Sequence, residues 1–293
     1  MIVSNNTASV TVIMVTYNTK RLTHSALEAL YAGTVVPQQV IVVDNASTDG
    51  TFGDIQKDFP LVEYIYNKEN KGFAAANNQG IDKASGDLVW LLNSDTRVGK
   101  NSLSELISYI ENHKDVGVVG PTLIYADGSP QSPGGFFPSC SNVFLWFFPI
   151  YKLFFKKSLS RARLLAHVPL KEITHEKELD YVTGAALLLR KSAFENMPLF
   201  SECFFMYFEE TDLCFRLKQN GWRICAVPTE PVVHIGGGSF RGRGDIHRTM
   251  LFIKSLRVFV SAHYRGVRKW ALLTEIAICF VPGILLRNIW YHS

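Results

Sequence analysis

Val10–Leu22 has the sequence VTVIMVTYNTKRL, and this stretch sets the pattern for the first half of the chain. A β-branched run ends at Thr16, and after a few polar residues the apolar positions follow helical spacing. A second unit starts with four consecutive apolar residues at Val40–Val43 and continues into the polar segment DNASTDGT. Uninterrupted apolar strands are typical of parallel sheets that are covered on both faces. The stretch therefore predicts a strand–helix unit of a layered α/β fold.

The same alternation of strand and helix continues as far as Gly120. Short helical segments separate five predicted strands, at Val10–Thr16, Val40–Val43, Val62–Tyr66, Leu88–Leu92 and Val116–Val119. Right-handed crossovers through such helices produce a mostly parallel sheet flanked by helices.

Residues 121–180 break the alternation, because they are rich in proline, glycine and aromatic residues. We expect loops and an edge hairpin there. Regular structure is predicted to resume with a strand at Tyr181–Arg190, a helix within Phe205–Gln219 and a strand at Trp222–Val227.

The composition excludes several classes of protein. Of the 293 residues, 47% are hydrophobic and 19% are charged, which argues against intrinsic disorder and against a collagen-like fibre. The five cysteines form no C-x-x-C pair, which argues against a disulfide framework or a thiolate zinc site and favours a reducing compartment. The N-terminal residues lack the apolar core of a secretory signal. We therefore expect a cytosolic protein.

Residues 241–293 form a basic and aromatic C-terminal extension. This segment carries nine basic and two acidic residues, a surplus of +7, although the whole chain carries only +4. Large apolar residues alternate with the cations, which favours an interfacial membrane helix over a nucleic-acid-binding arm. The apolar run Ala271–Leu286 contains Glu275 and Pro282 and falls short of the ~20 residues that a bilayer span needs. We expect it to lie on the membrane or to pack on the domain, with a single span as the alternative.

A second patch of this kind lies at Phe144–Leu165, where aromatic residues surround lysines and arginines. It predicts either a second membrane-facing surface or a buried aromatic subdomain.

Polar side chains collect where the predicted strands end. Ligands of parallel sheets bind at the carboxyl ends of the strands. The candidates there are Thr16, Tyr17 and Asn18; Asp44 and Asn45; Asn93, Ser94 and Asp95; and, near the end of the domain, Glu209, Glu210 and Asp212. Clustered oxygens with the imidazole of His234 suit Mg²⁺ or Mn²⁺, and such an ion favours a diphosphate-bearing ligand. The alternative is helix capping, with Asp44 capping the helix at Thr51 and Asp95 the helix at Ser102.

Two common phosphate-binding motifs are missing from the sequence. No G-x-x-x-x-G-K-[ST] occurs, and no G-x-G-x-x-G follows the first strand. The glycine cluster Gly236–Gly238 follows His234, and we interpret it as a loop that orders over a ligand.

Seven segments together resemble the family 2 glycosyltransferases of the GT-A fold, and most closely the bacterial rhamnosyltransferase-like branch. They are VTVIMVTYNTKRL, VIVVDNASTDGT, NKGFAAANNQGI, GDLVWLLNSDTRV, YVTGAALLLRK, FFMYFEETDLCFRLKQNGW and VVHIGGGS. The resemblance covers about residues 10–240. It implies a GT-A domain at 1–240 with a Rossmann-like nucleotide-sugar half at about 10–120 and an acceptor half at about 121–240. Residues 241–293 are then a helical, membrane-associating extension.

The resemblance also implies roles for the donor-binding residues. Thr16, Tyr17, Asn18, Asp44 and Asn45 match the family's contacts to the nucleotide base and ribose, and Lys71, Gly72 and Asn77 match the segment beside the nucleotide and donor sugar. Asn93-Ser94-Asp95 occupies the place of the metal-binding D-x-D motif, in which only Asp95 keeps its carboxylate. Asp95 and His234 are therefore the implied ligands of Mg²⁺ or Mn²⁺, and Asn93 is a polar helper to ribose or phosphate.

The acidic segment Glu209–Asp212 matches the position of the family's catalytic base. The family's usual pattern there is Glu-Asp-x-Asp, and this chain has glutamate at the second place. We interpret Glu210 as the base that deprotonates the acceptor hydroxyl, with Glu209 as the reserve candidate. Asp212 begins the following helix, where the helix dipole favours a carboxylate, and it is a further candidate for binding the acceptor.

The implied activity is inverting, metal-dependent transfer of a sugar from a nucleotide-diphosphate donor to a hydroxyl of a glycan or polyprenyl-linked acceptor. We expect L-rhamnose from dTDP-L-rhamnose, with UDP-hexose or UDP-galactofuranose as alternatives, in the synthesis of cell-surface polysaccharide. The expected location is the cytosolic face of the cell membrane, and no nucleic-acid partner is expected. Two other hypotheses stay open: a non-catalytic glycan- or nucleotide-binding module on the same fold, and a membrane-associated scaffold that uses only its tail.

Overall fold

The computed structural model describes residues 8–147, 174–195, 197, 199–236 and 245–291. Most of the Phe144–Leu165 patch and the end of the glycine loop lie outside these described residues. Within them, eight strands form a central mixed sheet with the order β10-β13-β6-β12-β4-β1-β2-β3. The strands are β1 Val10–Thr16, β2 Gln39–Asp44, β3 Glu63–Tyr66, β4 Leu88–Leu92, β6 Val116–Gly120, β10 Lys177–Glu178, β12 Ala186–Arg190 and β13 Arg223–Ala226.

The first half of the chain confirms the predicted strand–helix alternation. Strands β4, β1, β2 and β3 are parallel neighbours, so their carboxyl ends share one edge of the sheet. The connecting helices are α1 Lys20–Tyr31, α2 Thr51–Asp58, α3 Phe73–Asp82 and α4 Ser102–Asn112. Apolar residues of β1 alternate between two clusters: Val12 and Met14 join Leu27 and Leu106, whereas Ile13 joins residues of the opposite cluster. The sheet is therefore covered on both faces, as its uninterrupted apolar strands predict.

The prediction of one strand at Tyr181–Arg190 is wrong. Tyr181–Val182 forms β11, which pairs with β9 Gly134–Gly135 in a separate two-stranded sheet. After a break at residues 183–185, β12 inserts antiparallel between β4 and β6. The chain passes from the two-stranded sheet to the central sheet at Gly184. The two parts of the predicted strand therefore belong to different sheets.

A small second sheet lies beside the end of β4. It has the order β5-β14-β7-β8, with β5 at Thr96–Arg97, β14 at Val232–His234, β7 at Leu123–Ile124 and β8 at Pro130–Gln131. Strand β14 pairs with both β5 and β7, and it thereby brings the end of the acceptor half next to the end of β4.

The C-terminal extension forms two helices, α7 Asp245–His263 and α8 Gly266–Tyr291, which follow α6 Glu209–Gln219. They pack with α5 Cys140–Phe147, and a buried cluster joins Phe204 and Phe208 to Phe259 and Leu272. Part of the extension therefore packs on the domain, as one reading of the sequence predicts. Among the residues that the model describes, no helix has the length and apolar character needed to cross a bilayer.

Candidate active site

Asp95 and His234 lie side by side at the carboxyl end of β4. The cause is the antiparallel pairing of β5 with β14, in which His234 stands opposite Thr96. The Nε2 atom of His234 is 3.3 Å from Oδ1 of Asp95, and both side chains are largely buried. The amide nitrogen of Asn93 lies 3.5 Å from the same imidazole nitrogen. The two predicted metal ligands, Asp95 and His234, therefore lie together, with Asn93, the predicted helper to ribose or phosphate, beside them.

Gln131 of β8 orients the imidazole of His234. Its amide group lies 3.0–3.1 Å from Nδ1 of His234. When the amide oxygen of Gln131 faces the ring, it accepts a hydrogen bond from Nδ1–H. In that tautomer Nε2 carries no proton, and its lone pair points towards Asp95. Metal-binding histidines have an outer partner of this kind, which fixes the ring and its tautomer.

This donor set fits a divalent cation. An unprotonated imidazole nitrogen and a carboxylate oxygen at 3.3 Å repel one another unless a proton or a cation lies between them. Mg²⁺ and Mn²⁺ accept carboxylate oxygens readily and keep further positions for phosphate oxygens.

Another group of potential ligands lies on the outer helices. His24 on α1 and Asp54 and Asp58 on α2 place ligand atoms within 4.8 Å of one another. The His24 imidazole lies 3.1 Å from the Asp58 carboxylate, so a hydrogen bond accounts for their proximity. This group draws on no strand end, so we do not assign it to the active site.

Helix capping does not account for Asp44 or Asp95. Asp49, and not Asp44, accepts the backbone N–H of Thr51 at the start of α2, at 3.2 Å. At the start of α4, the carbonyl of Glu230 accepts the Ser102 hydroxyl at 2.7 Å. Asp95 instead faces His234. Neither carboxylate therefore caps the helix that the alternative interpretation assigned to it.

Asp44 is fully buried at the end of β2, and each of its oxygens has a partner. Oδ1 accepts the backbone N–H of Ser47 at 2.7 Å, and Oδ2 accepts the hydroxyl of Tyr64 on β3. The pKa of Tyr64 is raised above its ordinary value, first by burial and then by this hydrogen bond to Asp44. The carboxylate is thus fixed in one orientation at the predicted nucleotide edge.

A buried network of hydroxyl groups joins the loop after β1 to the loop after β4. The Thr16 hydroxyl lies 2.9 Å from that of Thr19 and 2.8 Å from that of Thr23. Thr19 in turn lies 3.0 Å from the hydroxyl of Ser94. Thr16 and Ser94 therefore support the edge of the sheet from within, and their backbones border the site.

Asn18 and Asn45 link the loops after β1 and β2. Asn18, in a left-handed conformation with φ 52°, accepts the Thr48 backbone N–H at 2.7 Å through its amide oxygen. Asn45 is buried, and its amide N–H donates to the carbonyl of Gly72 at 3.0 Å. These side chains hold the predicted donor pocket in shape.

Three predicted donor contacts lie apart from this linkage. Tyr17 is half-buried, and Lys71 is exposed. Asn77 is buried in α3, where its amide donates to the Phe73 carbonyl of the same helix at 2.9 Å.

Gly72 brings the donor half against the loop that carries the acidic residues. It has φ 85°, and a Cβ there would lie 2.9 Å from the carbonyl oxygen of Phe205. The next residue, Phe73, donates its backbone N–H to that same oxygen at 3.2 Å. Glycine is therefore required, both for its conformation and for the close approach of the two loops.

Glu210 faces the junction between β11 and β12. A Cβ on Gly184 would lie 3.7 Å from the Glu210 carboxyl carbon. The neighbouring residue, Ala185, accepts the backbone N–H of Asn93 at 2.9 Å. The Glu210 carboxyl group and the Asn93–Asp95 turn therefore border the same short segment of chain.

Glu209 and Glu210 differ in their surroundings. Glu209 is buried, and among the described residues its Oε2 has no hydrogen-bond partner, whereas Glu210 is partly exposed. Burial and the neighbouring Glu210 raise the pKa of Glu209 well above its ordinary value. Burial also raises the pKa of Glu210, but backbone N–H groups, including those of Gly184 and Thr211, oppose that rise. Glu210 is thus the one that ionises first and that solvent or an acceptor reaches.

Asp212 is buried in the first turn of α6, with both oxygens engaged. Arg216 donates to Oδ2 at 2.9 Å, and the His263 Nε2–H donates to Oδ1 at 2.6 Å. An acceptor-binding role for Asp212 therefore stays a prediction, whereas its contacts favour a structural one.

Sequence reasoning missed several residues of the site. Each of these residues lies beside a predicted residue that is well separated from it in sequence: Gln131 on β8, Tyr64 on β3, Gly184 in the break between β11 and β12, and His263 on α7. Gly184 carried a usable signal, because a glycine interrupts an apolar run there. For the other three the sequence offered no signal, since their importance comes from strand pairing and helix packing.

Comparison with known families gives a match over most of the chain. Residues 11–197 match the model of the family described as glycosyl transferase family 2. This segment contains the donor-side loops and Asn93–Asp95, whereas Glu209–Asp212 and His234 lie beyond it.

Individual proteins are similar over greater lengths. An N-acetylglucosaminyl-diphospho-decaprenol L-rhamnosyltransferase of Mycobacterium tuberculosis is 27% identical over 284 residues, which cover 91% of this chain and 90% of that protein. A low-salt glycan biosynthesis hexosyltransferase, Agl10 of Haloferax volcanii, is 26% identical over 71% of this chain and 62% of its own length. Among solved structures, the mannosyltransferase PcManGT from Pyrobaculum calidifontis, in complex with GDP-Man and Mn²⁺, has a TM-score of 0.58 at 18% identity, over 98% of this chain and 81% of that one.

Proposed function

The chain belongs to glycosyl transferase family 2, and on that premise we propose that it moves L-rhamnose from dTDP-L-rhamnose to a hydroxyl of a polyprenyl-linked or glycan acceptor. Its fold is the GT-A fold, and its activity class is glycosyltransferase. The rhamnosyl donor and the polyprenyl acceptor are supported by the similarity to the mycobacterial enzyme, which extends over nine-tenths of both chains. Synthesis of a cell-surface polysaccharide follows as the proposed context.

One observation carries the chemistry of this proposal. Asp95, His234 and Asn93 meet at one strand end, and Glu210 borders the same segment through Gly184 and Ala185. The proposed diphosphate site and the proposed base would therefore adjoin. Inverting transfer needs both, because the base and the leaving group act on opposite sides of the anomeric carbon.

Asp95 and His234 would hold Mg²⁺ or Mn²⁺, with Gln131 fixing the imidazole. When bound, the ion would neutralise charge on the departing nucleotide diphosphate. Asp44, held by Ser47 and Tyr64, would accept a hydrogen bond from the base or ribose of the nucleotide. Tyr17, Asn18, Asn45, Lys71, Gly72 and Asn77 would complete the donor pocket, as their positions in the family motifs imply.

Glu210 would take the proton of the attacking acceptor hydroxyl. Its partial exposure gives the acceptor access, and its raised pKa makes the carboxylate a stronger base than an exposed glutamate. Glu209, buried beside it with a still higher pKa, would stay protonated and leave Glu210 as the single negative charge of the pair.

The outer face of α8 supports association with an anionic membrane. Val267 and Trp270 are 87% and 68% exposed, and they line an open groove of about 790 Å³ together with Ile278. Arg268 is exposed on the same helix, and Arg265 is exposed directly before it. Apolar side chains flanked by cations suit the surface of an anionic bilayer, where a polyprenyl-linked acceptor would be presented. We propose that the enzyme docks at the cytosolic face of the membrane through this surface.

The proposed function is tested by a transfer assay with the full chain. Purified protein and Mn²⁺ are incubated with dTDP-L-rhamnose, UDP-glucose or UDP-galactofuranose and a synthetic N-acetylglucosaminyl-diphospho-polyprenol. We expect product only with dTDP-L-rhamnose. Product from a UDP-sugar would overturn the donor assignment, and nucleotide binding without transfer or hydrolysis from any donor would identify a binding module.

Membrane docking has a separate test in vesicle sedimentation. The protein should sediment with vesicles that contain phosphatidylglycerol and stay in the supernatant with phosphatidylcholine alone. Trp270→Glu should weaken sedimentation, whereas Phe52→Glu, a matched change at an exposed aromatic residue of α2, should not. Equal sedimentation of the native protein and Trp270→Glu would refute membrane docking through this face of α8.

A further inference from the structure

The backbone immediately before the two glutamates is strained. Tyr207 and Phe208 are consecutive non-glycine residues with φ of 66° and 70°, in the left-handed region. Bulky side chains rarely adopt this conformation, and it persists only where the surrounding structure holds it. Since Glu209 and Glu210 follow directly, the direction of both carboxyl groups depends on this turn.

Helix α7 holds the turn from one side. The Ser255 hydroxyl donates to the backbone carbonyl of Met206 at 2.7 Å. The Phe208 ring packs between those of Phe252 and Phe259, with centroid distances of 5.3 and 5.5 Å. The polar contact fixes the backbone, and the aromatic contacts fix the side chain.

The same helix also fixes the first turn of α6. His263, the last residue of α7, donates from Nε2 to Oδ1 of Asp212 at 2.6 Å. Arg216 binds the other oxygen from within α6. Asp212 accordingly tethers the segment that follows the glutamates, as Ser255 tethers the segment that precedes them.

The loop is held on its other side by the donor half. The Phe205 carbonyl accepts the Phe73 N–H beside Gly72. The acidic segment is thus suspended between the donor pocket and α7, and both anchors are needed to fix its position.

We propose that Ser255 and His263 are positioning residues for glycosyl transfer: α7 clamps the strained turn at Met206–Phe208 and the carboxylate of Asp212, and thereby aims Glu210 at the acceptor hydroxyl. This inference rests on the proposed function for its consequence, but the clamp itself is a property of the fold. It gives the C-terminal extension a supporting role for the proposed base as well as a proposed surface for docking.

The test compares His263→Leu, His263→Gln and Ser255→Ala in the 293-residue chain. Glutamine presents an amide N–H near the position of Nε2, so it can restore the hydrogen bond to Asp212, whereas leucine cannot. Ser261→Ala, at an exposed serine of the same helix, is the matched control for Ser255→Ala. Transfer from dTDP-L-rhamnose to the synthetic acceptor gives kcat and the donor KM, and hydrogen exchange reports the opening of residues 205–212.

We expect His263→Leu and Ser255→Ala to lower kcat at least tenfold, with the donor KM changed less than twofold. His263→Gln should recover most of the loss, and Ser261→Ala should equal the native protein. Exchange in residues 205–212 should accelerate in the two impaired variants, while peptides from β1 and β4 stay protected.

A native kcat in His263→Leu would overturn the positioning role, and so would equal losses in His263→Leu and His263→Gln. Should no donor support transfer in the native protein, the proposed function fails, but hydrogen exchange still decides on the clamp. Faster exchange confined to residues 205–212 supports it, and unchanged exchange in the leucine variant refutes it.

Discussion

The Nε2 atom of His234 lies 3.3 Å from Oδ1 of Asp95, although the two residues come from distant parts of the sequence. The contact follows from one short antiparallel pairing, in which His234 stands opposite Thr96. A carboxylate and an imidazole nitrogen placed in this way are prepared for a shared cation. The first two predictions concern that cation.

Asp95→Asn should abolish the metal-dependent part of nucleotide binding. The amide keeps the shape of the side chain but removes the negative charge that a divalent ion requires. In isothermal titration with dTDP and Mn²⁺, we expect the affinity of the variant to equal that of the native protein in EDTA. Asp82→Asn, at an exposed position of α3, is the control and should bind normally. If Asp95→Asn retains the native response to Mn²⁺, Asp95 is not a ligand.

Gln131→Leu should weaken Mn²⁺ binding by about 10–100-fold, the usual cost of losing the outer partner of a metal-binding histidine. The reason is that the imidazole of His234 loses the group that fixes its ring and tautomer. The measurement is a Mn²⁺ titration monitored by electron paramagnetic resonance. Gln131→Glu accepts from Nδ1–H as well, so it should bind Mn²⁺ more tightly than the leucine variant. Equal affinities in the native and leucine proteins would contradict the role of Gln131.

Glu210→Gln should lose transfer by at least about 10²-fold, the lower end of what general-base catalysis contributes, while dTDP binding stays native. Glu209→Gln should keep transfer within a few-fold, because burial and the neighbouring Glu210 raise the pKa of Glu209 and so favour its neutral form. The two variants are matched in size and charge and differ only in position. Steady-state kinetics measure transfer, and nucleotide titration measures dTDP binding. If Glu209→Gln loses transfer and Glu210→Gln keeps it, Glu209 is the base.

Glu209→Gln should also flatten the dependence of stability on pH. The folded pKa of Glu209 is raised above its unfolded value, so its contribution is fully present below the unfolded pKa and is lost as the pH rises towards the folded pKa. Native stability should therefore fall as the pH rises from acidic to mildly alkaline. The glutamine variant lacks this group. The difference in Tm between the variant and the native protein should therefore be larger, in favour of the variant, at about pH 8 than at about pH 5. A gain that is constant with pH, measured by scanning calorimetry, would rule out the raised pKa.

Gly72→Ala should destabilise the protein by about 1–3 kcal/mol and impair donor binding. Alanine is strained at φ 85°, and its Cβ would press on the Phe205 carbonyl. Gly53→Ala in α2 is the control: within the described part of the chain, nothing outside its own helix lies within 4 Å of the added Cβ, so it should stabilise by about 0.5–1 kcal/mol. Urea denaturation measures both. An unchanged free energy of unfolding in Gly72→Ala would show that the two loops do not meet as described.

The alternating pattern of the first half was readable because local rules decide it. Strands β1, β2 and β4 are apolar on both faces, and the polar residues that follow them must reach the same edge when the strands are parallel. The seven motifs added the family and the expected roles of the site residues. These features depend on sequence neighbours, so no knowledge of distant contacts was needed.

The tertiary structure alone decided which side chains meet. The insertion of β12 between β4 and β6, the pairing of β14 with β5, and the packing of α7 on the turn at Met206–Phe208 all join segments far apart in the chain. These contacts select Gln131 as the partner of His234 and His263 as the partner of Asp212, and they separate the buried Glu209 from the accessible Glu210. The physical reason is that periodicity reports only whether a residue faces the core or the solvent. Which partner it finds there depends on how the sheets and helices pack.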